Sequence, residues 1–321
     1  FRSVDALRGA VMILMALDHV RDFFHVSAMS FSPVDLARTT PILFLTRWIT
    51  HFCLPVFLFT SGTGAFLWRR QGNRTTRQLS RFLWTRGLWL VLLELTVMQL
   101  SYNFTISSRL PVLLLILWIF GICMIILAAL IHLPLSWLFS MSAAIVVLHN
   151  CVDRVDAARF GPFGWLWRIL HQPGVFTLSG RLILVTYTLL PWIAVMSLGF
   201  CFGQILYWDS PARQRIMRRI GFSLIVAFFV VRAINIYGDP APWSAQKSVL
   251  FTALSFLNVT KYPASLEFLL MTFGPAFLAL AHFDRHPPSV KNPLIVFGRV
   301  PLFYFVIHFY LIHGLAVLLA W

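Results

Sequence analysis

The sequence predicts an all-α integral membrane protein, a polytopic helical bundle of about nine or ten spans. Three observations carry that class. Of 321 residues, 59% are hydrophobic and 12% charged, and the mean hydropathy is +0.80; a soluble domain of this length needs far more charge to cover its surface. The apolar residues fall in runs of about 20, the length of a helix that crosses ~30 Å of hydrocarbon. The 12 Trp and 31 Phe suit aromatic belts at the two interfaces.

Taken in order, spans are expected near 4–24, 42–68, 81–101, 110–131, 133–150, 182–207, 215–236, 263–283 and 294–319. The segments RRQGNRTTRQLSR, PARQRIMRRI and DRHPPSVKNP separate the second from the third, the sixth from the seventh and the eighth from the ninth. All three are basic, and span parity puts them on one side with the N-terminus. By the positive-inside rule that side is the cytoplasm. The opposite side carries the longer loops 25–41, 151–181 and 237–262. Within the middle one, ARFGPFGWLWRILHQPG mixes aromatics with arginine and reads as a short interfacial helix. SVLFTALSFLNVTKYP is too short and too punctuated to span and is expected to fold back toward the bundle mouth. With no internal repeat and no soluble stretch, the chain reads as a single membrane domain over 1–321.

The formal charge of +15 does not indicate a nucleic-acid partner, because the arginines sit in short loops between apolar runs rather than along one soluble face. Cys53, Cys123, Cys151 and Cys201 show no CxxC spacing; neither a disulfide nor a metal site is expected. The first residue is Phe1 rather than Met, so a trimmed native N-terminus is expected.

Ionisable residues inside spans are costly and usually face a cavity, so each is a candidate for function. In the first span, Asp5 and Arg8 are i,i+3 neighbours. Asp18 and His19 follow the apolar stretch, with Arg21, Asp22 and His25 after them. At ~1.5 Å per residue His19 lies roughly 22 Å along from Val4, in the outer third. Glu94 lies about 20 Å up from Arg81, His308 roughly 21 Å up the ninth span, and His51 about 14 Å below the start of the second. Four helices thus bring ionisable groups to one layer, and a histidine near a carboxylate in a partly dry cavity is equipment for general-base chemistry. The plainer readings stand beside this one: His51 and His308 as hydrogen-bonded packing residues, Glu94 as a partner for Arg86 or another arginine, and Arg21, Asp22 and His25 as an interfacial rim.

The stretches SVDALRGAVMILMALDH, HFCLPVFLFTSG, YTLLPWIAVMSLGF, FLNVTKYPASLEFLLMTFGP and FGRVPLFYFVIHFYLIH run in order from Ser3 to His313. Together they resemble the catalytic domain of the heparan-α-glucosaminide N-acetyltransferase family and its bacterial relatives. Arg8 and His19 also match the Arg-x10-His motif of membrane O-acyltransferases that modify cell-surface polysaccharides.

The resemblance implies transmembrane acyl transfer in a bacterial inner (plasma) membrane, from acyl-CoA, with acetyl-CoA the expected donor co-substrate and no permanently bound cofactor, to an extracytoplasmic glycan or amino sugar. Arg8 and Arg299, at the cytoplasmic ends of the first and ninth spans, would take the CoA phosphates. His19 would act as base, with Asp18 or Glu94 fixing its tautomer. His25, His51, Lys261 and His308 are the candidates for contacting the acceptor. The bilayer is the obligatory partner, and the sequence leaves room for a homo-oligomer. Lysosomal members carry asparagine at the His19 position and a histidine further on, which His25 does not match by position. Direct transfer and an acyl-histidine route therefore both stay open, as do an amine and a hydroxyl acceptor. The competing class is a proton-coupled transporter or channel built on the same polar layer; it would be expected to show repeat symmetry and broken helix pairs, and only Gly62-x-Gly64 offers anything of the kind.

Overall fold

The computed structural model describes residues 1–26, 30–105, 107 and 110–320. Its helices, in chain order, are α1 (Arg2–Phe24), α2 (Pro41–Thr50), α3 (Cys53–Gln71), α4 (Thr76–Leu93), a π-helical turn (Glu94–Met98), α5 (Gln99–Asn103), α6 (Ile116–Leu130), α7 (Leu135–Leu148), α8 (Gly164–Leu170), α9 (Leu189–Phe202), α10 (Ser210–Ile234), α11 (Val249–Leu257), α12 (Leu266–Arg285), α13 (Pro293–Arg299) and α14 (Pro301–Ala320). Among the described residues, three short strands, β1 (Val112–Leu114), β2 (Gly174–Leu178) and β3 (Arg181–Val185), form one small sheet in the order β1-β3-β2.

Among the described residues, six helices are long and apolar enough to cross a membrane: Pro41–Gln71, Thr76–Asn103, Leu135–Val152, Leu189–Tyr207, Leu266–Arg285 and Pro301–Leu319. The protein is an integral membrane protein of the helical class. The other expected spans are helical but differ in kind. The helix Ile116–Leu130 is apolar but short, while α1 and α10 carry several charged residues each.

The breaks in the expected spans have local causes. The stretch 42–68 divides at His51–Phe52 because Pro55, in the first turn of α3, has no N–H to continue the ladder of α2. Pro301 likewise separates α13 from α14. The stretch 182–207 is not one helix: Arg181–Val185 is a strand and α9 begins only at Leu189. Ser179 and Gly180, both at positive φ (49° and 76°), turn β2 back onto β3 as an antiparallel hairpin. An unbroken apolar run cannot by itself tell a buried strand from a helix.

By packing, the chain falls into two compact units. One comprises Phe1–Phe57, Asp209–Thr260 and Glu267–Trp321, the other Leu58–Trp208 and Lys261–Leu266. In the first, α1 lies against α13 at touching distance. A Cβ on Gly9 would meet the Leu294 backbone, and one on Gly298 would meet the Asp5 carbonyl, so both positions need glycine for the helices to approach. Arg213 of α10 forks onto Asp284 of α12, with Nη2 donating at 3.0 Å. Arg232 and Glu267 form a fully buried pair at 2.7 Å, each side chain 1% exposed. The same guanidinium donates to the carbonyls of Phe256, Ser255, Ala241 and Asn258, pinning the loop 237–260 and α11 to the helices.

In the second unit α3 crosses α9 closely, with Gly62 against Met196 and Gly199 against Phe59. Thr63 Oγ1 donates to the Gly199 carbonyl at 2.9 Å across the crossing. The expected interfacial helix is present as a 3-10 segment, Ala157–Phe163, followed by α8.

Candidate active site

Asp18 and His19 are consecutive on α1, so their side chains leave the helix about 100° apart. Asp18 turns to α2. Its carboxylate accepts from Arg47 Nη1 (2.6 and 2.9 Å) and Thr50 Oγ1 (2.7 Å), and Arg21 Nη2 lies 2.6 Å away. Arg21 also donates to Asp22 at 2.6 Å. This is a partly buried ion network near the C-terminal end of α1, where each charge has an opposite partner.

His19 turns to α14. Its Nδ1 stands 2.7 Å from Nε2 of His308, and Nδ1 of His308 stands 2.7 Å from the Tyr304 carbonyl. The carbonyl can only accept, so His308 Nδ1 carries a proton and, in the neutral ring, its Nε2 does not. His308 Nε2 must then accept from His19 Nδ1–H. The chain of bonds puts the lone pair of a neutral His19 on Nε2, the nitrogen that can take a proton from another molecule. Phe309 packs edge-on against His19 with ring centroids 4.9 Å apart and Tyr304 stacks on His308 at 4.9 Å, so the pair sits in an aromatic wall.

At the other end of α1, Arg8 Nη1 donates to the Gly298 carbonyl at 3.2 Å and lies 3.9 Å from Asp5. Arg299 Nε lies 3.7 Å from the same carboxylate, its side chain half exposed. Asp5 therefore gathers both arginines, and the Gly9–Gly298 approach holds them there. Eleven residues, about 17 Å along the helix, separate Arg8 from His19.

Of the residues predicted from the sequence, the structure joins His19 to His308 directly and Arg8 to Arg299 through Asp5. His25 ends α1, exposed, with its N–H on the Arg21 carbonyl at 3.0 Å. His51 ends α2; it is buried, and its ring is tilted against Phe268 at 5.4 Å. Glu94 and Lys261 belong to the other unit. Glu94 is fully buried, and its Oε2 accepts from the N–H of Leu117 (2.7 Å) and Trp118 (3.2 Å), while Tyr102 reaches Oε1 at 3.5 Å. A carboxylate on the first-turn amides is a cap for α6, not the arginine pairing considered from the sequence. Lys261 Nζ stands over the Tyr262 ring at 5.3 Å.

Sequence reasoning missed Arg47 and Thr50, which hold Asp18, and the Arg232–Glu267 pair. Arg47 was findable: an arginine within an apolar segment, at the same end as Asp18, needs a carboxylate. Thr50 had no such signal.

Among the described residues there is no group of three or more His, Cys, Asp or Glu placed to hold a metal. A search of the curated proteins found no match to the chain. The profile of the heparan-alpha-glucosaminide N-acetyltransferase catalytic domain matches residues 1–238, which include Arg8, Asp18, His19 and Glu94, while Lys261, Arg299 and His308 lie beyond it. With that profile over most of its 321 residues, the chain belongs to the heparan-alpha-glucosaminide N-acetyltransferase family and is by family an acetyltransferase.

Proposed function

We propose that the protein moves an acetyl group from cytoplasmic acetyl-CoA to the amine of an extracytoplasmic amino sugar or glycan, with His19 as general base. The whole chain then acts as one transmembrane acyltransferase domain in a bacterial plasma membrane, N-terminus in the cytoplasm. The observation that carries the reading is the His19–His308–Tyr304 hydrogen-bond chain, which points a basic Nε2 away from the ring that orients it. The family supplies the reaction class.

The step balances simply. The amine nitrogen attacks the thioester carbonyl; His19 Nε2 takes the proton the amine sheds; the C–S bond breaks as the C–N bond is kept, and the imidazolium returns its proton to the departing thiolate. His308 accepts the Nδ1–H throughout, which fixes the tautomer and spreads the charge that forms on His19. Asp18, neutralised by Arg47 and Arg21, sets the pose of α1 against α2 rather than touching His19's partner. Arg8 and Arg299, already converged on Asp5, are the groups for the CoA phosphates, and their distance from His19 suits a thioester at the end of a pantetheine arm.

The test is CoA release by the purified protein against a panel of amino sugars and polysaccharide fragments. His19→Ala is expected to lower turnover by about 10²–10⁴-fold with folding intact. Arg8→Ala is expected to raise KM for acetyl-CoA, with loss of charge-assisted contacts worth ~1.5–3 kcal/mol. A folded His19→Ala protein with near wild-type turnover would remove the base from the reading. Absence of CoA release with every acceptor, together with solute-driven proton movement in vesicles, would favour the transporter.

A further inference from the structure

The second unit carries a basic cavity that acetyl transfer does not use. It has a volume of about 570 Å³ and opens between the α3–α4 turn and the α6–α7 turn. Its lining combines Arg69, Arg70 and Arg74 with the apolar side chains of Phe66, Ile131 and Phe200. Each turn joins the ends of two membrane-crossing or apolar helices, so the cavity lies at the level of a headgroup layer whichever way the chain is oriented.

Charge balance is the first argument. From Leu36 to Leu93 the sequence holds no Asp or Glu, and Ile131–Pro134 adds only His132. Among the described residues, none of the three arginines has a carboxylate partner. Topogenic charge alone asks only for arginines somewhere in the loop. Here three arginines line one cavity, where like charges repel each other unless an anion lies between them.

The second argument is that the turn is built rather than loose. Asn73 adopts a left-handed φ of 46°. Arg74 stacks on the Trp68 ring at 4.0 Å and donates to the Trp68 carbonyl at 2.5 Å. The Thr75–Gln78 capping box then starts α4. Arg70 is held over Tyr207 at 5.7 Å. Guanidinium groups fixed in this way are preorganised for phosphate oxygens.

The geometry points to a binding site for the headgroup of an anionic phospholipid. The phosphodiester sits among Arg69, Arg70 and Arg74, and the glycerol and first acyl carbons rest on Phe66, Ile131 and Phe200. Further along the same helices, Trp84 and Leu88 on α4 and Trp137 on α7 are exposed apolar side chains, available to the lipid's acyl chains. The mixed lining favours an amphiphile over a free anion, which has no use for the apolar wall.

The test uses the full chain purified in detergent, with dioctanoyl phosphatidylglycerol, dioctanoyl phosphatidylcholine, inorganic phosphate and coenzyme A as separate probes. Binding is read by native mass spectrometry and by thermal unfolding. One phosphatidylglycerol is expected to bind saturably and raise Tm, with neither phosphatidylcholine nor phosphate doing so at the same concentration. Arg69→Gln is expected to weaken that binding by about tenfold or more, whereas Arg77→Gln, on the same basic segment but outside the cavity, leaves it unchanged. Should Arg69→Gln not fold, the ranking of the four probes on the wild-type protein decides alone. Equal binding of phosphatidylcholine, equal loss in Arg77→Gln, phosphate binding as tight as the lipid, or displacement of the lipid by coenzyme A would each overturn the proposal; the last would make the cavity a donor site.

Discussion

If His308 orients His19, then His308→Ala should slow the chemical step without touching donor binding. The substitution removes the acceptor of a 2.7 Å bond and takes from the His19 Nδ1–H the ring that orients it, beside Phe305 and Phe309. Losing a buried hydrogen-bond partner costs about 1–3 kcal/mol, an upper bound for the half-buried His19, and the ring can relax by moving its proton to Nε2 or by rotating, either of which withdraws the base. Converted to a rate, the loss is roughly 5- to 150-fold in kcat. His308→Gln provides the control, since its amide oxygen can still accept from His19 and should recover part of the loss. The assay is CoA release with the best acceptor, resolved into kcat and KM for acetyl-CoA, with thermal unfolding run on each variant. A His308→Ala protein that keeps kcat within twofold, or whose KM for acetyl-CoA rises as kcat falls, would refute the orienting role.

Three further outcomes follow from the geometry. Glu94→Gln should leave stability and transfer near wild type, because its carbonyl still accepts from Leu117 and Trp118, whereas Glu94→Ala should cost about 1–3 kcal/mol in unfolding measurements; loss of transfer in a stable Glu94→Gln protein would instead make the carboxylate part of the chemistry. Arg232→Met should destabilise by about 3–5 kcal/mol, since it strands the buried Glu267 and four carbonyls, with Arg232→Met/Glu267→Leu recovering only part in thermal unfolding. Cys151 is exposed while Cys53, Cys123 and Cys201 are buried, so an impermeant maleimide added to intact cells should label the wild-type protein at Cys151 alone; no labelling until the membrane is opened would reverse the topology.

What the sequence made legible follows from which interactions are periodic and which are not. Hydropathy located the helices because a bilayer imposes one length on every crossing. It misplaced the start of α9 because Leu182–Val185 is as apolar as the helix that follows, and only the Ser179–Gly180 turn marks the change. His19 and His308 were both legible as costly residues at similar depth on two helices. Their direct bond was not, because it depends on the rotation of α1 against α14. The nearby packing of α1 on α13, with Gly9 against Leu294, likewise carries no signal of its own.

Asp18 shows why adjacency in sequence misleads about chemistry. Beside a histidine it reads as the carboxylate of a catalytic pair, yet one helical step turns it about 100° away. There it meets Arg47 and Thr50, 29 and 32 residues further on. The two neighbours divide the work of one helix turn: Asp18 fastens α1 to α2, and His19 faces α14 with its tautomer fixed. A base needs a defined proton position more than it needs a negative charge at its side. An imidazole acceptor supplies the first while leaving the wall around it apolar, where a carboxylate would draw water. In the proposed reaction the histidine pair would thus supply a proton acceptor with a defined tautomer beside the aromatic rings of Phe309 and Tyr304.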